Sequence, residues 1–219
     1  LAILQGAPMA LENYQKTYGF ELRHRVFVGC IGTYQVGSEN KPIAEFEEVV
    51  VANKTMDYQT WLECRVMNLL VKIYIDRDYF VEVFGLIRRL GLSPVDLLDH
   101  LRTAIIPRFE TLSNLVELFL QKTEEPLYGS KEELLDFVNN PDVVAKYESG
   151  ELGGNELLIH RAMAYMECND DLHTALKDAA LAYLEEAGEL NELMVEYVSQ
   201  ATQFSQLRKF NPMNYTQEL

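Results

Sequence analysis

The chain has 219 residues, 48% of them hydrophobic, which is enough to form a buried core in one large domain or two smaller ones. Its net charge of −15 at pH 7 repels phosphate groups and therefore argues against nucleic acid or an anionic membrane surface as a partner. No apolar run approaches the roughly 20 residues of a membrane-spanning helix, and no leader pattern opens the chain.

The first 52 residues carry a strand, a short helix and a ribbon. Residues 1–4 are apolar and end in a Gly/Pro turn, which is typical of the end of a buried strand. Pro8 begins a predicted helix that reaches Tyr18 and is capped by Gly19. From Phe20 the hydrophobic period changes to two and returns after a polar loop at residues 37–42, which predicts an antiparallel β-ribbon ending at Ala52.

The remainder of the sequence is helical in pattern. Asp57 or Thr55 caps a helix reaching Ile75, and further starts are marked by Ser-Pro, a capping box and Asn-Pro. The sequence therefore predicts an α+β fold that is mostly α, with an N-terminal antiparallel β-ribbon followed by a multi-helix domain. We place the domains at 1–56 (strand end, short helix and ribbon) and 57–219 (helices), with a candidate hinge at 150–155. One helical face is expected to be buried as a stripe, formed by Leu62, Val66, Leu69 and Ile73.

Motifs for catalysis and metal binding are missing from this sequence. Its three cysteines, Cys30, Cys64 and Cys168, are too widely spaced for a disulfide framework or a cluster motif, so a reducing cytoplasmic location is predicted. None of the four histidines forms an i, i+4 pair. There is also no nucleophile elbow and no phosphate-binding loop. We therefore expect no catalytic residue, no metal site and no cofactor in this chain.

Four charges in the ribbon are the candidate functional residues: Arg23 and Arg25 on one strand, Glu45 and Glu47 on the other. One interpretation is a ladder of cross-strand salt bridges that protects an edge strand from aggregation. The other is a polar surface that faces a neighbouring domain or a substrate. Exposed pairs contribute only about 0–1 kcal/mol. The second interpretation therefore predicts that Arg25→Ala or Glu47→Ala lowers the activity of a larger parent enzyme and leaves the melting temperature nearly unchanged.

The order of several short segments in the first third of the chain resembles a known family. The segments that carry the resemblance are Leu4-Gln5-Gly6-Ala7-Pro8, Gly19-Phe20, Arg23-His24-Arg25-Val26, Glu45-Phe46-Glu47-Glu48-Val49-Val50-Val51, Thr55-Met56 and Trp61. In this order they resemble the region just after the catalytic barrel of cobalamin-binding-domain radical SAM proteins, although Ala7 replaces the threonine that is usual there.

The resemblance implies a parent enzyme that cleaves S-adenosylmethionine at an iron–sulfur cluster, with cobalamin as a further cofactor in the family and relatives in surface carbohydrate biosynthesis. This chain lacks the cluster motif Cys-x3-Cys-x2-Cys. It would then be the C-terminal accessory or substrate-facing domain, and its partner would be the N-terminal catalytic barrel of the same polypeptide. The alternative is a stand-alone acidic helical module that binds another protein without catalysis.

Overall fold

The structure, a computed structural model, describes residues 2–208 and confirms the predicted α+β, mostly α fold. Its strands form one antiparallel sheet in the order β1–β3–β2. The strands are β1 (Ala2–Ile3), β2 (Glu21–Val36) and β3 (Glu39–Ala52). The α-helices of the described residues are α1 (Glu12–Tyr18), α2 (Tyr58–Leu70), α3 (Val81–Arg89), α4 (Pro94–His100), α5 (Glu110–Glu124), α6 (Lys131–Val138), α7 (Pro141–Glu148), α8 (Glu156–Glu167), α9 (Asn169–Glu186) and α10 (Glu192–Arg208).

The predicted ribbon is confirmed, but its turn is shorter than the sequence suggested. Val36 pairs with Glu39, so only Gly37 and Ser38 lie between the strands. Gly37 has a φ of 66°, the left-handed conformation that a two-residue hairpin turn requires at a central position. The predicted loop at residues 37–42 is therefore wrong, because β3 already begins at Glu39 and continues through Pro42.

A bulge interrupts the ribbon near its middle. Val26 pairs with Phe46 and Ile31 pairs with Ala44, so residues 27–30 lie opposite Glu45 alone. Gly29 in this segment has a φ of 76°, a conformation that glycine adopts without a steric cost. The bulge divides the ribbon into an inner part, which carries the two arginines, and an outer part, which carries the turn.

Helix starts follow the polar residues that the sequence marks. The Asp57 side chain accepts a hydrogen bond from the Thr60 N–H at 2.7 Å, and Ser93 and Asn140 cap α4 and α7 in the same way. The predicted apolar stripe of α2 is confirmed as buried. It continues into a π-helical turn at Val71–Ile75, and the exposed fractions are 8% for Leu62, 6% for Val66, 0% for Leu69 and 1% for Ile73.

The chain divides into two compact units that are each discontinuous in sequence. The first takes the described residues of Leu1–Cys64 and Leu120–Glu156, and the second takes those of Arg65–Phe119 and Leu157–Leu219. Helical residues 120–156 thus group with the ribbon, a grouping that the sequence does not indicate. The boundary at 56/57 remains a prediction.

The first unit has an apolar cluster on each face of the ribbon. On one face, Val49 and Val51 pack with Trp61 and Leu62 of α2. On the other face, Val26 packs with Leu134 and Val138 of α6. Together the clusters hold the inner part of the ribbon from both sides, and the register places Arg23, Arg25 and Glu47 on the face of Val49 and Val51.

The core of the second unit is formed mainly by helices α3, α4, α9 and α10. Helix α9 contributes small and apolar side chains that are nearly inaccessible to solvent, including Leu176, Ala179 and Ala180, and it packs closely against α10. Within residues 2–208, no helix is both long and apolar enough to cross a membrane.

Candidate functional site

The register of the ribbon places Arg25 directly opposite Glu47. Arg25 Nε donates to Glu47 Oε1 at 2.5 Å, and Arg25 Nη1 donates to Glu156 Oε1 at 3.4 Å. The side chains are largely withdrawn from solvent, with exposed fractions of 23% for Arg25, 10% for Glu47 and 13% for Glu156. One guanidinium therefore holds two carboxylates in a half-buried cluster, which we call the Arg25 cluster.

Glu156 is the member of the Arg25 cluster that the sequence does not reveal. It is 131 residues away from Arg25 and is the first residue of α8. A carboxylate is favourable at this position because the first turn of a helix carries a partial positive charge. No local pattern marks Glu156 as a partner of the ribbon, since acidic residues in a first turn are common for that same reason.

Glu156 of the Arg25 cluster directly follows the candidate hinge at 150–155 in the sequence. In that segment the Leu152 N–H donates to the Lys146 carbonyl at 3.0 Å. A Cβ on Gly153 would come within 2.6 Å of the Tyr147 ring, and the φ of Gly153 is 76°. These contacts fix the local path of the segment, and the hinge itself remains a prediction.

Arg23 lies on the same face as Arg25 but has a different environment. Its guanidinium donates to the carbonyl of its neighbour Leu22 at 3.1 Å. Tyr58 lies near it, donating its hydroxyl to Glu124 at 2.9 Å. Burial and the neighbouring Glu124 raise the pKa of Tyr58 to about 12, and the positive charge of Arg23 opposes that shift. Arg23 therefore contributes to the surroundings of a half-buried tyrosine and not to an ion pair within 4 Å among the described residues.

Glu45 is the most accessible of the four candidates. It is exposed, stands opposite the bulge at residues 27–30, and has no ion-pair partner within the part of the chain that the structure describes. Large apolar side chains nearby on the ribbon are also exposed: 46% for Phe27, 39% for Val28 and 46% for Ile43. The ribbon thus brings Arg25 and Glu47 together and leaves Glu45 exposed to solvent.

In the described part of the chain, the side chains that could hold a metal or a cluster lie apart from one another. Among residues 2–208, no group of three or more histidine, cysteine or carboxylate side chains could bind a metal ion. Cys30 is half-buried in the ribbon, Cys64 is exposed on α2, and buried Cys168 lies beside the Thr111 carbonyl. These thiols do not fit an iron–sulfur cluster, so no chemical step through such a group is assigned to this chain.

Comparison with known proteins adds no relative: no protein-family model matches the sequence, and a search of curated proteins finds no similar chain.

Proposed function

We propose that this chain is the C-terminal accessory domain of a cytoplasmic radical SAM enzyme, in which it covers or shapes the active site of an N-terminal catalytic barrel. The parent would supply the iron–sulfur cluster, S-adenosylmethionine and cobalamin, and its chemistry would serve surface carbohydrate biosynthesis. The observation that carries the proposal is the ordered set of short segments between Leu4 and Trp61 that resembles the region after the barrel in that family.

The fold supports treating those segments as one functional piece. They all belong to the first unit, where strand β1, helix α1 and the ribbon follow one another and Asp57 then starts α2. Gly6, within the resembling turn, has a φ of 84°, a conformation that favours glycine. Strand β1 pairs with β3 at Ala2–Val49 and Ile3–Glu48, which joins the start of the chain to the ribbon in one sheet.

Within this proposal, Glu45 is the residue that we assign to contact with the barrel or the substrate. Arg25 and Glu47 are paired and are only 23% and 10% exposed, so their main role is to hold the two strands together and to bind Glu156. Glu45 is exposed and unpaired among the described residues, and a carboxylate in that position can receive a hydrogen bond or a cation from another surface.

The first test is the coding sequence upstream of Leu1. The proposal requires a Cys-x3-Cys-x2-Cys motif in the same reading frame, and a reading frame without one refutes the parent enzyme. This chain alone should bind no iron–sulfur cluster, because its cysteines lack cluster spacing. Anaerobic reconstitution followed by iron and sulfide analysis measures this, and a stoichiometric cluster would contradict it.

The second test changes Glu45 in the full-length parent. We expect Glu45→Gln to lower S-adenosylmethionine-dependent turnover about tenfold while the melting temperature stays the same, because an exposed carboxylate contributes little to stability. Glu39→Gln is the matched control, since Glu39 is exposed on the same strand and pairs with Lys41 at 3.2 Å. Equal activity of the Glu45 variant and the control would leave the ribbon with a structural role only.

The second candidate function is a stand-alone acidic interaction module. Helix α10 favours it, because several of its large apolar side chains are exposed, among them Leu193 and Leu207 at 65% each. An upstream sequence without a cluster motif would support this candidate and contradict the first.

A further inference from the structure

Helix α10 carries an exposed stripe with the spacing of a two-helix seam. Its members follow one another at intervals of four, three, four and three residues, which is the a/d pattern of a coiled coil. The exposed fractions are 65% for Leu193, 40% for Tyr197, 49% for Phe204 and 65% for Leu207. Gln200, also exposed, occupies the central position. We call these five residues the α10 stripe.

The α10 stripe is separate from the face by which α10 packs within its own unit. That packed face consists of Val198, Ala201, Thr202 and Ser205, which are at most 7% exposed. Small side chains there allow close approach to α9, so α10 is held firmly while the stripe remains accessible.

Two contacts at the margin of the α10 stripe fix the orientation of its aromatic residues. The Tyr197 hydroxyl donates to the Glu82 carbonyl at 3.4 Å. The Arg208 guanidinium lies 4.5 Å from the centroid of the Phe204 ring and also pairs with the Glu82 carboxylate at 2.7 Å. The stripe is thus a preformed surface with ordered side chains, which lowers the entropic cost of binding.

The distribution of charge along α10 favours the antiparallel orientation for a second copy of the helix. Glu192 and Glu196 lie in its first half, and Arg208 ends it. An antiparallel arrangement keeps the two acidic halves apart and places each beside Arg208 of the other copy, whose charge is already balanced by Glu82 of its own copy. It also sets the two helix dipoles antiparallel, which is favourable. A parallel arrangement would instead bring like charges together.

We propose that the α10 stripe is a weak homodimer interface in which two copies of the chain pair their α10 helices antiparallel. The stripe presents only four large apolar side chains per copy, less than the ~800 Å² per partner of a standard interface. Both copies also carry a charge of −15. We therefore expect a dissociation constant on the order of 100 µM.

Sedimentation equilibrium of the whole chain tests this proposal. Runs between about 10 and 500 µM at about 0.3 M NaCl screen the repulsion of the net charges and should show a monomer–dimer equilibrium. A purely monomeric chain across that range overturns the proposal and leaves the stripe to a different partner.

Substitutions on α10 test whether the α10 stripe is the dimer interface. Leu193→Gln combined with Leu207→Gln should weaken the dimer at least about tenfold, since both side chains lie in the seam. Val195→Gln is the matched control: Val195 is 40% exposed on α10 but outside the stripe, and its change should leave the equilibrium as it was. Gln200→Glu provides an independent variant, because it places like charges at the centre of the seam in the dimer. In the monomer it adds only an exposed i, i+4 pair of carboxylates with Glu196, which now accepts a hydrogen bond from Gln200 Nε2 at 3.0 Å. Dimerisation that neither the double leucine change nor Gln200→Glu weakens contradicts the proposal, provided that circular dichroism shows native helix content.

Discussion

Removing the Arg25 guanidinium is the sharpest test of how the ribbon is held. We consider Arg25→Met, which keeps a long apolar stem but leaves Glu47 and Glu156 without their shared cation. Loss of one partner of a fully buried ion pair costs about 3–5 kcal/mol, and exposed pairs contribute about 0–1 kcal/mol. With side chains 23%, 10% and 13% exposed, the Arg25 cluster lies between these limits. We expect a loss of about 2–3 kcal/mol in the free energy of unfolding of the first unit.

The single tryptophan makes the measurement specific for that unit. Trp61 is buried beside Val49 and Val51, so its fluorescence during urea unfolding reports the first unit, while far-UV circular dichroism reports the helices of both. Arg23→Met is the matched control, because Arg23 lies on the same face and its described hydrogen bond is to a neighbouring carbonyl. We expect the control to cost less than about 1 kcal/mol.

A double-mutant cycle separates the ion pair from packing of the arginine stem. Arg25→Met and Glu47→Gln should show a coupling energy of about 1–2 kcal/mol, because each single change removes the same interaction. If Arg25→Met costs no more than Arg23→Met, or if the two changes are additive, the Arg25 cluster does not stabilise the ribbon. The sequence alone leads us to expect that changes at Arg25 or Glu47 leave the melting temperature nearly unchanged. Because the structure shows both side chains half-buried, we instead expect these changes to lower the stability.

Two further predictions concern backbone and pH. Gly19→Ala should destabilise the chain by about 1 kcal/mol in urea unfolding, because Gly19 has a φ of 63° and a Cβ would lie 3.0 Å from Lys54 Cγ. The control is Gly85→Ala inside α3, where a Cβ meets no atom within 4 Å, and it should be neutral or stabilising. Equal losses of stability in the two variants would refute the conformational argument. Burial lowers the pKa of His173 below 6.5, so its contribution to stability is complete above about pH 6.5 and declines as pH falls from there towards the lowered value. Melting temperatures at pH 7.5 and 5.5 should therefore differ less for His173→Gln than for the parent chain, and an identical difference would contradict this reasoning.

Local signals in the sequence were sufficient for most of the fold. Alternation with period two marked the ribbon, and Asp57, Ser93 and Asn140 marked helix starts through capping that depends on residues two or three positions away. The stripe on α2 was predictable because helical spacing alone places those side chains on one face. Such features need no knowledge of distant parts of the chain.

Features that depend on distant residues were not predictable. The pairing of Arg25 with Glu47 was expected only as one of several registers, and Glu156 had no sequence signal as their third member. The turn was misjudged because Pro42 suggests the end of a strand. In the structure Thr33 of β2 lies opposite Pro42 of β3, and the Thr33 N–H points away from β3 and donates to Glu148. Thr33 and Pro42 therefore exchange no backbone hydrogen bond. The nitrogen of Pro42, which has no hydrogen to donate, faces the open edge of β3, where no ladder hydrogen bond is lost.

The grouping of the ribbon with helices from much later in the chain has a consequence for synthesis on the ribosome. The strands that end at Ala52 leave the ribosome before Leu134 and Val138 exist to cover the face around Val26. At about 5–20 residues per second, the roughly 90 intervening residues take on the order of 5 to 20 s to translate. During that interval the nascent ribbon presents an apolar face and an open edge. Pro42 and the neighbouring charged side chains of β3 are then its own protection against pairing with other chains.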